Sequence, residues 1–163
     1  MALTAAPELA AIIALHRDPA QAAVARRKVR QLVTAWNLAH RADLAELVVS
    51  ELVANALRHG AGPIEVRLAR GPGGLRIEVH DDGPGRPVRR HAGDYDECGR
   101  GLELLDGLIA PLGGAWGTVE DRRAPGKSVY AVLPCGRPAT AVWSSQSSRS
   151  ATPFSGPETS APG

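Results

Sequence analysis

Residues Leu47–Gly60 read LVVSELVANALRHG. Leu47, Val48, Val49, Leu52, Val53, Ala54, Ala56 and Leu57 leave no wide polar face, which predicts a buried helix. Glu51 and Asn55 interrupt it together. Four residues apart, they share one face, one side chain above the other. A carboxylate in a dry core needs a partner or a water-filled site. A carboxylate and an amide side by side suit a hard cation and a proton acceptor next to it. They equally suit a plainer arrangement, with Glu51 paired to an Arg and Asn55 capping a backbone group.

On the N-terminal side, Leu9–Leu15 fits a first strand. Asp18-Pro19 is a helix start, with Asp as N-cap and Pro in the first turn. Ala22, Ala25, Val29, Leu32, Val33 and Trp36 then recur at helical spacing. Arg26, Arg27, Lys28 and Arg30 fill the opposite, solvated face. The central helix starts near Ala42 or Asp43 and stops at Gly60-Ala61-Gly62-Pro63.

Downstream, Ile64, Val66 and Leu68 alternate with charged residues, as do Leu75, Ile77 and Val79. With Gly71-Pro72-Gly73-Gly74 between them, these two strands form a hairpin. It runs into Asp81-Asp82-Gly83-Pro84-Gly85, then residues 86–98, which lack apolar periodicity and are expected to form a mobile loop. Gly99-Arg100-Gly101 opens a helix from Leu102 to about Leu112. Ala115–Glu120 and Ser128–Leu133 read as two further strands. Adjacent strand pairs predict a two-layer α/β sandwich with a mixed, mostly antiparallel sheet and helices on one face.

The chain has 163 residues, enough for one core, and is 44% hydrophobic. The expected organisation is a flexible N-terminus over residues 1–8, a domain over 9–134 and a Ser/Pro-rich tail over 135–163. From about residue 138 that tail is expected to be disordered. A net charge of +2 is too small to argue for nucleic-acid binding. Cys98 and Cys135 lack metal-ligand spacing. No run approaches membrane-spanning length and no basic n-region precedes the first apolar residues, so a cytoplasmic protein is expected.

Three glycine-bearing segments follow the Glu51/Asn55 helix. Asp81-x-Gly83-x-Gly85 leaves a strand, where glycine permits close backbone approach and Asp can accept from an exocyclic amine. Gly99-Arg100-Gly101 opens a helix, where free N–H groups suit phosphate. Gly126-Lys127-Ser128 introduces the last strand. In this order they resemble the boxes of the GHKL ATPases, whose Bergerat ATP-binding fold is shared by gyrase, histidine kinases and MutL. Glu51-x-x-x-Asn55 matches the N box, and the three glycine segments match the boxes after it. SELVANALRHG, GRGLELLDGL and GKSVYAVL are most similar to the SpoIIAB/RsbW-like anti-sigma-factor serine/threonine kinases. The likeness covers about residues 15–134.

The resemblance implies ATP and Mg²⁺ as cofactors, with Asn55 holding the metal. It implies that Asp81 binds the adenine amino group, and that Gly83 and Gly85 let the backbone approach the base. Residues 86–101 would form a lid, with Gly99, Arg100 and Gly101 near the phosphates. Lys127 and Ser128 would belong to the nucleotide site, Ser128 beside Asp81 at the adenine end. Glu51 would be the general base on a substrate hydroxyl. The partners implied are a small anti-anti-sigma (STAS-type) protein phosphorylated on Ser and a sigma factor. Homodimerisation is usual among characterised members.

Histidine kinases usually carry Asn where Glu51 stands and need a helical dimerisation domain, for which a chain of this length has no room. The lid departs from the best-characterised members, since residues 86–98 hold Pro87 and several charges but no fixed phosphate-binding pattern. ATP-dependent docking without catalysis is therefore the alternative function. A P-loop is excluded because Asp121 stands where its first Gly is required and VYAVL reads as a strand rather than a helix. No GxGxxG joins a first strand to a helix, which excludes a dinucleotide fold.

Overall fold

A computed structural model describes residues 8–84, 100–120 and 125–136. Its spine is the helix containing ELVAN, α2, which runs Ala42–His59. One turn of 3-10 helix, Ala39–Arg41, leads into it. Ala45, Val48, Val49, Leu52 and Val53 are fully buried, along one stripe of the helix. The sequence predicts burial all round. Instead Leu47, Ala54 and Leu57 are only half-buried, in the same class as Glu51 and Asn55. The stripe faces the sheet, and the opposite side is left to the two polar residues.

Helix α1, Gln21–Ala35, packs along α2 through Ala25, Val29 and Val33. It begins two residues after Pro19, but Asp18 still serves its start: Oδ1 accepts from the Ala20 N–H at 2.8 Å. The far end closes on Asn37, left-handed at φ 59°. Leu38 N–H bonds Val33 C=O and Asn37 N–H bonds Thr34 C=O, a Schellman ending with Asn in the glycine position. Arg26, Arg27, Lys28 and Arg30 are exposed, as expected. Arg30 bridges to Asp43 and Glu46 of α2, a contact between two solvated faces.

Five strands form one sheet: β1 Leu9–Leu15, β2 Ile64–Gly71, β3 Gly74–Asp81, β4 Ala115–Glu120 and β5 Lys127–Leu133. Their order is β1-β2-β3-β5-β4. Every pair is antiparallel, so the sheet is not mixed. Helix α3, Arg100–Ile109, starts earlier than expected and gives way to a 3-10 turn over Ala110–Leu112, where Pro111 lacks the N–H that an α-helix would use. No helix among the described residues is long and apolar enough to cross a membrane.

The odd-numbered residues of β3 and β5 meet the helices, Leu75, Ile77 and Val79 beside Val129, Ala131 and Leu133. The even-numbered residues point away, yet they too are buried. Arg76 bonds Glu78 through both Nε and Nη2, at 3.1 and 2.8 Å, and lies 3.8 Å from the Tyr130 ring centroid. Alternation in β3 thus predicts the two faces correctly but not that both are covered, because an inner strand has neighbours on each side. Residues 1–7, 86–98 and 137–163 of the expected terminus, loop and tail lie outside the described residues.

Leu52 is fully buried where α2 meets the sheet. Leu52→Ala is expected to destabilise the fold by about 2–5 kcal/mol, read as a lower urea midpoint with unchanged slope.

Candidate nucleotide site

Asp81 ends β3 with only 1% of its surface exposed. Its Oδ1 accepts from the Gly83 N–H at 2.8 Å, the Ala61 N–H at 3.3 Å and Lys127 Nζ at 3.1 Å. Its Oδ2 has no hydrogen bond to any described residue. A buried carboxylate oxygen left without a donor is costly, which is the mark of a group held ready for a ligand. Those three donors all converge on the other oxygen, which fixes the orientation of the free one.

Glycine makes this convergence sterically feasible. A Cβ on Gly60 would stand 2.4 Å from Asp81 Cγ, and one on Gly83 would stand 2.7 Å from Asp81 Oδ1 and 2.8 Å from Gly60 Cα. Gly126, at φ +113°, turns the chain into β5 where a Cβ would stand 2.1 Å from the Asp81 carbonyl oxygen. In the sequence these glycines read as turn formers or as room for a ligand. In the fold Gly60, Gly83 and Gly126 are room for Asp81 itself.

The C-terminal end of α2 forms another wall. Arg17, just after β1, donates from Nη1 to the carbonyls of Ala56 and Leu57, both at 3.0 Å, and from Nε to that of Gly62 at 3.1 Å. It thereby satisfies the Leu57 carbonyl, adds a second donor to that of Ala56, which already accepts from the Gly60 N–H, and ties the helix end to the following loop. The sequence assigns no role to Arg17 and reads Gly60 only as a helix stop. The spacing of RHG marks where the helix ends but not what packs there.

From Gly60, Asn55 lies about 7.5 Å and Glu51 about 13.5 Å back along the α2 axis. Both are half-buried, and neither has a hydrogen bond or ion pair to another described residue. The arrangement of Glu51 paired to an Arg and Asn55 capping backbone is therefore absent among the described residues. Helix α3 packs against α2 and β4, and Arg100 and Gly101 form its first turn. Gly85 and Gly99 lie outside the described residues.

Ser128 is placed differently from the expectation. Its Oγ is 3.2 Å from His80 Nδ1, on the sheet face away from the helices. Asp81 faces Lys127 across β3–β5, and His80 faces Ser128. With side chains alternating along a strand, only one of Lys127 and Ser128 can reach Asp81, and the register selects Lys127.

Among the described residues no three His, Cys, Asp or Glu side chains cluster to hold a metal. Mg²⁺ takes few protein ligands and is completed by substrate phosphates. A buried, unpaired acceptor fits the exocyclic amine of a base, and the α2 amide one and a half turns away fits a phosphate-bound cation. The residues present suit a purine nucleotide with Mg²⁺.

An antiparallel sheet with helices on one face and this site at the end of a helix defines a two-layer α/β sandwich. Residues 15–121 match the family model described as histidine kinase-like ATPase domain, and the chain belongs to that family. Sensor histidine kinase PdtaS of Mycobacterium tuberculosis (strain CDC 1551 / Oshkosh) is 34% identical over 104 residues, 60% of this chain and 20% of that protein. Signal transduction histidine-protein kinase AfsQ2 of Streptomyces coelicolor is 40% identical over 42 residues, 26% of this chain and 8% of that protein. The chain thus spans 20% or less of the length of these relatives. The histidine kinase domain from Erythrobacter litoralis EL346 blue-light activated histidine kinase aligns with TM-score 0.47 and 19% identity, over 83% of this chain and 72% of that one. A likeness at that score carries no weight beside the family match and the sheet topology.

Gly60→Ala is expected to cost about 1–3 kcal/mol by overpacking against Asp81. Arg17→Ala should cost about 1 kcal/mol through the lost helix-end bonds. Equilibrium urea unfolding of both variants checks the order.

Proposed function

We propose that this chain is an ATP-dependent serine/threonine protein kinase of the anti-sigma-factor type. It would phosphorylate a small anti-anti-sigma (STAS-type) protein on Ser and hold a sigma factor. The observation that carries the reading is the Asp81 Oδ2, without a hydrogen bond to any described residue, set in a glycine cradle at the end of the helix on which Glu51 and Asn55 lie half-buried. Asp81 receives the adenine amine, and Asn55 contributes the protein ligand to Mg²⁺. ATP supplies the phosphoryl group, and Mg²⁺ neutralises its charge. Gly83 and Gly85 let the backbone approach the base, while Arg100 and Gly101, in the first turn of α3, belong on the phosphate side together with Gly99.

Glu51 lies further back along α2 and takes the proton from the acceptor serine hydroxyl. Its freedom from any ion pair among the described residues supports that role, because a carboxylate locked to an Arg would be a poorer base. The two sensor kinases named above favour a second reading, in which the domain is the ATP-binding part of a histidine kinase. An imidazole nucleophile needs no base, so Glu51 separates the two.

Calorimetry should show Mg²⁺·ATP binding that Asp81→Asn abolishes, because an amide N–H then faces the adenine amine in place of an acceptor. Asn55→Ala should weaken Mg²⁺·ATP binding. Glu51→Ala should leave ATP affinity intact or slightly higher, by relief of charge repulsion with the phosphates. Single-turnover transfer to the partner serine should fall about 10²-fold or more in Glu51→Ala. Wild type that binds a partner with ATP but transfers nothing leaves ATP-dependent docking as the function. Transfer undiminished in Glu51→Ala removes the base assignment alone.

A further inference from the structure

Lys127 is 4% exposed, and its ammonium makes one hydrogen bond to a described residue, to Asp81 Oδ1 at 3.1 Å. An ammonium carries three N–H donors, so two have no acceptor there. The facing carboxylate is in the complementary position, with Oδ1 taking three donors and Oδ2 none. A buried ion pair offsets its desolvation only when its remaining protons and lone pairs are also satisfied. As an isolated strand-to-strand tie between β3 and β5, this pair is incomplete on both sides. As half of a binding site, it offers one acceptor and at least one donor next to each other, fixed by the register Asp81↔Lys127.

Adenine shows the complementary pair on its Watson–Crick edge, the N6 amine as donor and ring N1 as neighbouring acceptor. We propose that Lys127 reads adenine N1 directly, donating to it while Asp81 Oδ2 accepts from the N6 amine. Lys127 is then a specificity-determining residue of the site, and its bond to Asp81 also holds the carboxylate in place. Ser128, its neighbour in the last glycine segment, takes no part, because it points to His80 on the other face of the sheet. This inference rests on the ATP-site reading above and goes further in naming which atom of the base is read and by what.

The test is isothermal calorimetry of the full chain with Mg²⁺ and three nucleotides: ATP, 1-deaza-ATP, in which N1 is replaced by C–H, and 7-deaza-ATP as a control on the other edge. Wild type should bind 1-deaza-ATP about tenfold or more weakly than ATP, the scale of one hydrogen bond from a charged donor, and 7-deaza-ATP about as well as ATP. Lys127→Met should bind ATP more weakly and no longer distinguish it from 1-deaza-ATP. If Lys127→Met does not fold, Lys127→Gln keeps a neutral donor on Asp81 with a shorter reach, and the same loss of discrimination is expected. Equal binding of ATP and 1-deaza-ATP by wild type overturns the inference and leaves Lys127 as a strand tie, with the ATP site standing. A 1-deaza penalty that persists undiminished in the variant assigns N1 to another group and also overturns it. Wild type that binds none of the three nucleotides fails at the ATP reading itself.

Discussion

The carboxylate of Asp81 is the constraint around which this molecule is arranged. A charge with 1% exposure has to be compensated, and three separate pieces of chain converge to do so. The loop after α2 brings the Ala61 N–H, and the chain leaving β3 brings the Gly83 N–H. Strand β5 brings Lys127. Gly60 contributes by having no side chain, since any Cβ there would collide with the carboxylate. Among the described residues one oxygen is oversupplied with donors while the other has none, so the cluster that stabilises the charge also aims it.

Helix α2 couples that charge to the chemistry proposed further along. Its apolar stripe sets the depth at which the helix lies on the sheet, and Arg17 fixes its C-terminal end against the Asp81 loop. Rotation of the helix is then no longer free, and Glu51 and Asn55 are held on the side that the stripe leaves uncovered. The chain belongs to the histidine kinase-like ATPase family. The family alone does not choose the phosphoryl acceptor. In the reading proposed here that choice falls on a side chain, the carboxylate of Glu51, rather than on the fold.

The remaining ionic contacts are of another kind. Arg30 with Asp43 and Glu46 joins α1 to α2 at the surface, where such pairs contribute little. Arg76, Glu78 and Tyr130 instead form a buried group on the sheet face opposite the helices. There the guanidinium is matched in charge by Glu78 and in shape by the aromatic ring, so the inner strands are closed on both sides.

Local pattern determined much of this protein from sequence alone. The 2.0 period placed β2 and β3 and the 3.6 period placed α1, because those periods are set by which side chains must leave water, and an apolar run of more than three turns placed α2. The spacing of Glu51 from Asn55 and the order of the glycine segments identified the family, since both are properties of the chain read in one dimension. What the sequence did not contain, beyond the β2–β3 hairpin, was which elements lie side by side. Nothing in β4 or β5 announces that β5 inserts between β3 and β4, and only that insertion brings Lys127 opposite Asp81. The same register turns Ser128 away to His80, although the two residues are adjacent in a segment that reads as one motif. Arg17 and Gly60 were silent for a related reason. Their partners are 39 to 45 residues away for Arg17 and 21 for Gly60, and contacts at that range follow from how the layers pack rather than from any local periodicity.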